Sequence, residues 1–430
     1  MMDINTNFVK EVYDLREIAV RNDVFDEYLI RKSEKLLKHN SFKHRKLDIH
    51  EFELSVRNRI INKYRKNIYK SPYFIDYEDH ENYFSDYDRA NPLDLAERKL
   101  SVISKDPKLT MAFRSGMTAI SCILDSLPLI KNLGKNFITY ADYFETQSLL
   151  KIKCLKNFNL LEADTTEALK NYLSDNDNKL FFVELPKYSG KEGLYTIKEI
   201  LSFIKKNRDE QILMIVDNTL YSLSEDIKKI LENFPFPITL IFVRSGLKLD
   251  QYGLELMNLG IVNVFSNLDN TFIDNLRGIL KLIRTVSGGS LSNTNYHILS
   301  SNFLDSKRID LYKKKIIINT SYIANSIDNN EMITVHYSEG HPFFYITFNI
   351  SNYSIKNFFK KIEMFYKKNN SSIHYGTSFG FRQTRYELIN KTFEFGLVNT
   401  DNPFLRISPG YYLSDSDLYL IEFFNDIIMI

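Results

Sequence analysis

ILMIVDNTL (212–220) holds an apolar run closed by the carboxylate of Asp217, and in ITLIFVRSGLK (238–248) a second run, ITLIFV, stands just before Lys248. Neither alternates polar with apolar, so each reads as a strand buried on both faces, as in a mostly parallel sheet covered by helices. Similar short runs stand on either side: FITY (137–140), LFFVEL (180–185) and GIVNVF (260–265). Helical patterns fall between them, after Ser115–Gly116–Met117 and over 166–173, 197–206 and 223–232, and a longer one over 268–286 leads out of the region. Strand and helix in alternation make this an α/β sequence.

The flanking sequence differs. Phe8, Val12, Leu15 and Ile18 recur at helical spacing, and a second helical pattern runs from Leu54 through Ile61 to Ile68. Between them the basic group Lys38, His39, His44, Arg45 and Lys46 reads as a solvated link between helices. Residues 71–92, rich in Tyr, Asp, Asn and Pro, read as an extended arm. Toward the other end, MITVHYS (332–338) and FFYITFNI (343–350) form a hairpin pattern, 354–368 an amphipathic helix, FLRIS (404–408) a strand and 414–428 a closing helix. The expected organisation is a helical extension and arm (1–92), a large domain (93–285) and a smaller C-terminal α/β domain (286–430). No fixed-period repeat interrupts it.

Composition narrows the function classes. With 430 residues, 44% apolar and 26% charged, the chain is globular and can bury more than one core. A net charge of +2 gives no general attraction to nucleic acid or to an anionic membrane. No run reaches the roughly 18–20 apolar residues of a membrane span. The first residues carry no apolar signal-type stretch, and Cys122 and Cys154 sit among apolar neighbours, so a cytoplasmic location is expected.

The chemistry-bearing residues gather at strand ends. Asp217 closes its strand, and Lys248 follows 31 residues later, one strand–helix–strand step on, so both belong to the same edge of a parallel sheet, where ligands bind in open α/β folds. Singly, Asp217 also reads as a helix cap and Lys248 as a surface lysine. Together they are what pyridoxal 5′-phosphate needs: an amine for the Schiff base and a carboxylate that keeps the pyridine nitrogen protonated. Ser115, Gly116 and Met117 open a helix whose N-terminal N–H groups suit a phosphate, although a plain Ser-capped helix has the same pattern.

In chain order these residues fall within a longer series: YDRANP (87–92), SGMTAI (115–120), YFET (143–146), VELP (183–186), VDNT (216–219), SGLK (245–248), SGGSLS (287–292), TSFG (377–380) and LRISPG (405–410). In that order the series resembles the Cys/Met-metabolism (trans-sulfuration) family of fold-type-I pyridoxal phosphate enzymes, over about four-fifths of the chain. The resemblance implies a seven-stranded, mostly parallel sheet and a lyase or transferase acting at the β- or γ-carbon of a substituted amino acid. It implies Lys248 as the residue that carries the cofactor and moves protons, Asp217 at the pyridinium nitrogen and Tyr143 stacked on the ring as an aid to proton transfer. Gly116, Met117 and Ser245 would hold the phosphate, with Thr219 also in the cofactor site. Tyr87 and Arg89 would reach the phosphate of a neighbouring subunit, making a homodimer or homotetramer. Arg406 would grip the substrate carboxylate with support from Ser378, and no metal is implied.

Several positions depart from the pattern. Leu247 stands where the family has a threonine, Tyr188 replaces an asparagine, and Phe144 and Glu145 replace two glycines. Glu255 stands at an aspartate position, and Gln383, between Arg382 and Arg385, stands where many members are acidic. Arg382 and Arg385 read equally as contacts to an acidic substrate side chain and as surface ion pairs. An aminotransferase or decarboxylase on the same fold, and a non-catalytic scaffold, remain the alternatives.

Overall fold

The computed structural model describes residues 4–38, 42–65, 93–188, 196–204, 210–220, 226–301, 303–349, 360–361, 363–364, 373–389 and 404–425. The expected arm at 71–92, with Tyr87 and Arg89, lies outside them, as does most of the helix expected over 354–368. By contact the chain forms two compact units. One gathers Met1–Lys66, Lys248–Leu256 and Ser301–Ile430, and the other Asn67–Leu247 and Met257–Ser300. This division differs from the three consecutive segments expected, because the N-terminal helices and the Lys248 segment both group with C-terminal residues.

In chain order the helices and strands are α1 (Ile4–Arg21), α2 (Glu27–Lys38), α3 (Phe42–Arg65), α4 (Asp94–Ile103), β1 (Leu109–Phe113), α5 (Gly116–Ser126), β2 (Asn136–Tyr140), α6 (Phe144–Cys154), β3 (Asn159–Glu162) and α7 (Thr166–Ser174). Then come β4 (Leu180–Glu184), α8 (Ile197–Ser202), β5 (Ile212–Asp217), α9 (Ile227–Glu232), β6 (Ile238–Ser245), β7 (Gly260–Ser266), α10 (Asn270–Val286) and α11 (Asn293–Ser300). The rest are α12 (Ser306–Ser326), β8 (Ile333–His336), β9 (Phe344–Phe348), β10 (His374–Tyr375), β11 (Arg385–Ile389), β12 (Phe404–Ser408) and α13 (Asp415–Asn425).

The seven-stranded sheet runs β1-β7-β6-β5-β4-β2-β3. Pairing is parallel from β6 through to β3, and β7 is antiparallel to both β6 and β1. The unbroken apolar runs have the cause expected of them, since successive residues feed opposite apolar layers. In β5, Leu213 and Ile215 join the layer of α5, α6 and α10, while Ile212, Met214 and Val216 join that of α7, α8 and α9. Two strands had no clear signal. β3 is short and half-exposed, and β1 (LTMAF) carries Thr110, whose hydroxyl bonds Asn263 of β7 at 3.0 Å.

The helix starts are locally encoded. Ser115, Thr165, Thr196 and Asp269 each accept a backbone N–H of the first turn, and Thr196 forms a reciprocal capping box with Glu199. One buried charge pair pins the edge strand. Arg284 of α10 meets Glu97 of α4 and donates to the Ala112 carbonyl at 2.9 Å, while the same carboxylate accepts the Ala112 N–H at 2.9 Å.

The other unit holds a five-stranded sheet, β10-β11-β12-β9-β8, antiparallel except for β10 on β11. The expected hairpin is β8 and β9. Ile323 of α12 and Ile327 just after it, with Leu420 and Phe424 of α13, pack against Ile346, Leu405 and Ile407 of the sheet. In α3 the buried apolar residues are Ile49, Phe52, Val56 and Ile60, whereas Leu54 is exposed, so the helix presents a different face from the one read in the sequence. No helix among the described residues is long and apolar enough to cross a membrane.

Replacing Glu97 by Ala leaves the buried Arg284 guanidinium without its carboxylate and the Ala112 N–H without its acceptor. The variant should lose about 3–5 kcal/mol of stability, read from its urea unfolding midpoint.

Candidate active site

The register of the seven-stranded sheet brings five strand ends to one edge. Phe113 pairs with Gly260 and Gly260 with Ser245, while Val243 pairs with Asp217 and Asp217 with Glu184. The first turn of α5 therefore starts beside the end of β6. A Cβ added at Gly116 would lie 3.2 Å from the Ser245 backbone, and one at Gly260 only 2.1 Å from the Ser115 carbonyl oxygen. Ser115 accepts the Thr118 N–H at 3.0 Å. The N–H groups of Gly116 and Met117 then remain as the unpaired donors of the first turn, aligned with the positive end of the helix dipole. A phosphate suits that place.

Asp217 lies next in the row. Its Oδ1 accepts the Thr219 N–H at 2.9 Å, and the Thr219 hydroxyl oxygen accepts the Ser245 N–H at 3.0 Å. Thr219 thus couples the Asp217 carboxylate to Ser245. Burial lifts the Asp217 carboxyl above its ordinary range, and the two bonds from Thr219 act in the opposite sense. A cation against this carboxylate would restore its charged form.

Glu184, quoted above only as part of VELP, is the residue whose role was missed. It is 5% exposed, and its Oε2 accepts the N–H groups of Asp142 (2.8 Å) and Tyr143 (3.1 Å). It therefore fixes the backbone that carries Tyr143 into α6. Burial, with the Asp142 and Asp217 carboxylates nearby, holds Glu184 well above its ordinary value. The sequence signal was a carboxylate ending a strand run that is otherwise apolar. The Tyr143 ring lies 5.0 Å from that of Tyr188, tilted by 54°, and its hydroxyl donates to Glu145 at 2.9 Å. Three of the departures, Phe144 (ring centre 5.1 Å away), Glu145 and Tyr188, therefore contact Tyr143 directly.

The remaining expected residues belong to the five-stranded unit. The Lys248 ammonium donates to the Ser378 hydroxyl and lies 5.3 Å from the Phe379 ring centre. Ser378 has φ +77°, in the left-handed region. Arg406 is 6% exposed and directly opposite Glu387 in the β11–β12 ladder, and its Nη2 pairs with the Glu387 carboxylate. The guanidinium expected to meet a substrate carboxylate thus already has one carboxylate partner.

Arg382 has neither of the two roles weighed for it. Its side chain is 0% exposed and is paired with Asp14 at 2.8 Å and Glu11 at 3.5 Å, both on α1. Burial pushes Glu11 up to about 8 against the pull of Arg382. Arg385 lies 3.2 Å from the Phe381 ring centre and 3.6 Å from Glu255. Among the described residues no group of three or more His, Cys, Asp and Glu is placed to hold a metal ion.

Two variants test this geometry. Gly260→Ala drives a methyl group into the Ser115 carbonyl and should cost at least about 1–3 kcal/mol in chemical unfolding. Burial holds the folded Glu184 carboxyl well above its ordinary value of 4.5, so its proton-linked contribution is complete below that pH and is lost as the pH rises toward the folded value. Glu184→Gln keeps an acceptor oxygen without the charge. Urea midpoints measured from about pH 5 to about pH 8 should fall less steeply in this variant than in the parent.

No family model and no curated protein matches the chain. Solved structures do. The apo methionine gamma lyase from Micromonospora echinospora is 15% identical, with 84% of this chain and 91% of that chain covered at a TM-score of 0.56. The cystathionine gamma synthase from Xanthomonas oryzae pv. oryzae in complex with cystathionine is 18% identical, covering 82% and 89% at 0.59. The cystathionine gamma-lyase from yeast is 18% identical, covering 85% and 93% at 0.57. The chain shares the fold of these structures along most of its length, and that fold is the α/β class its sequence motifs implied.

Proposed function

We propose that the chain is a pyridoxal 5′-phosphate enzyme that catalyses elimination or replacement at the β- or γ-carbon of a substituted amino acid. The observation that carries the reading is the row Asp217–Thr219–Ser245 beside the bare start of α5. It provides a buried carboxylate in want of a cation and, at its other end, a helix terminus in want of an anion. Those are the needs of a pyridinium nitrogen and a phosphate. The solved structures with this fold are named as gamma lyases and a gamma synthase, and the reaction class is taken from them.

Gly116, Met117 and Ser245 would hold the phosphate, Asp217 the ring nitrogen, and Lys248 the covalent link. When bound, the cofactor supplies an electron sink for bonds broken at the substrate α-carbon. The Lys248 amine then takes and returns protons at the α- and neighbouring carbons. Tyr143, whose hydroxyl donates to Glu145, serves proton transfer at the leaving group. Arg406 and Ser378 bind the substrate carboxylate. A homodimer or homotetramer, with Tyr87 and Arg89 reaching a neighbouring subunit, belongs to the same reading.

A non-catalytic chain on this fold is the second reading, favoured by the Glu387 carboxylate already on Arg406. One experiment separates the two. The purified chain is mixed with pyridoxal phosphate, reduced with borohydride and mapped by mass spectrometry, then assayed with β- and γ-substituted amino acids for keto acid and ammonia. The adduct should map to Lys248, and Lys248→Ala should lower turnover by about 10²–10⁴-fold, the scale of a lost acid–base group. An adduct on Lys248 with no conversion of any amino acid would support the second reading. Unchanged visible absorbance in Lys248→Ala would sink the first.

A further inference from the structure

We propose that Arg382, held by Asp14 and Glu11 of α1, is a positioning residue for Lys248, so that the N-terminal helix supports the reactive lysine. The inference rests on the role given to Lys248 above. Two backbone stretches, 248–253 and 378–382, approach closely at two glycines, and the Tyr312 hydroxyl at the same contact donates to the Gly380 carbonyl at 3.0 Å. A Cβ at Gly380, where φ is +83°, would sit 2.9 Å from the Lys248 carbonyl oxygen. One at Gly253, where φ is +75°, would sit 2.7 Å from the Arg382 backbone nitrogen. Ser378, at the start of the second stretch, accepts the Lys248 ammonium.

Arg382 closes the other end of this contact. Its Nη1 donates to the Tyr252 carbonyl at 3.3 Å, and its Nη2 donates to Asp14 at 2.8 Å. The lysine's stretch and α1 therefore share one guanidinium. A buried guanidinium keeps its place only while carboxylates balance it, because an unpaired charge there would draw in water or leave the interior. Loss of the α1 carboxylates would release Arg382, then the Tyr252 carbonyl, and with it the register of 248–253 against 378–382. Charge at α1 thus bears on the Lys248 amine through backbone placement.

The test uses Asp14→Asn and Arg382→Lys. Glu17→Gln is the control, since Glu17 lies on the same helix and pairs with Arg21 and Arg308 but not with Arg382. Two signals report on Lys248. One is its rate of reductive methylation in the chain without cofactor, mapped by mass spectrometry. The other is the pH midpoint of the visible absorbance of the chain with pyridoxal phosphate. Asp14→Asn and Arg382→Lys should shift the midpoint by about half a pH unit and the methylation rate by about threefold, with Glu17→Gln unchanged. If both variants unfold more easily yet match Glu17→Gln in both signals, α1 is only a strut and the inference falls. If the parent chain takes no cofactor on Lys248, the proposed function fails, while the methylation rate still decides the role of Arg382. If Asp14→Asn does not fold, Arg382→Lys, which keeps the charge, decides the matter alone.

Discussion

The close approach of three backbones at the edge of the seven-stranded sheet is the constraint on which the Asp217–Ser245 row of the candidate site depends. Ser115 and Gly116 at the start of α5 lie against Gly260 of β7 and Ser245 of β6, with no room for a Cβ at Gly260 and little at Gly116. Because β1 and β6 both run antiparallel to β7, their ends emerge on the same edge. The helix dipole, the end of β6 and the carboxylate of β5 then face one region without any long loop to position them. Thr219 links the last two by accepting from Ser245 and donating its N–H to Asp217. A site built this way draws its precision from strands, which is why short motifs at strand ends carry so much information.

In both units several buried cations face a carboxylate from an element distant in sequence. Arg284 meets Glu97 and Lys313 meets Asp250, while Arg382 meets Glu11 and Asp14. Such pairs add little net stability, but removing one partner is costly. They act as specificity devices that make one packing much better than its neighbours. The Lys313–Asp250 pair (2.7 Å) and the Arg382 group both bear on the stretch that follows Lys248. This accounts for the grouping of that stretch with α12 and the N-terminal helices rather than with the strand that precedes it.

Much of the large sheet was legible because strands buried on both faces must be mostly apolar, and β2, β4, β5, β6 and β7 keep to that rule apart from Thr139, Thr239, Asn263 and the polar residues at strand ends. β3 was not, because a half-exposed strand of four residues has no distinct pattern. The candidate site was legible in part. Asp217 and Ser245 fall in one row with Gly116, as their strand ends required. Glu184 was quoted without a role, since its partners are backbone N–H groups that only the β4–α6 juxtaposition supplies. Arg382 was misread as a surface or substrate contact because its partners lie more than 360 residues earlier in the chain.

The sequence by itself determined the α/β class, the strand ends that bear Asp217 and Ser245, and the motif order that the shared fold supports. Those features are local: apolar period, capping residues and turn glycines act over a few residues and can be read along the chain. Only the tertiary structure decided that Thr219 joins Asp217 to Ser245, that Glu387 engages Arg406, and that α1 supplies the carboxylates for Arg382. Each of these is a hydrogen bond or charge pair between elements whose meeting depends on register and packing, which no local pattern encodes.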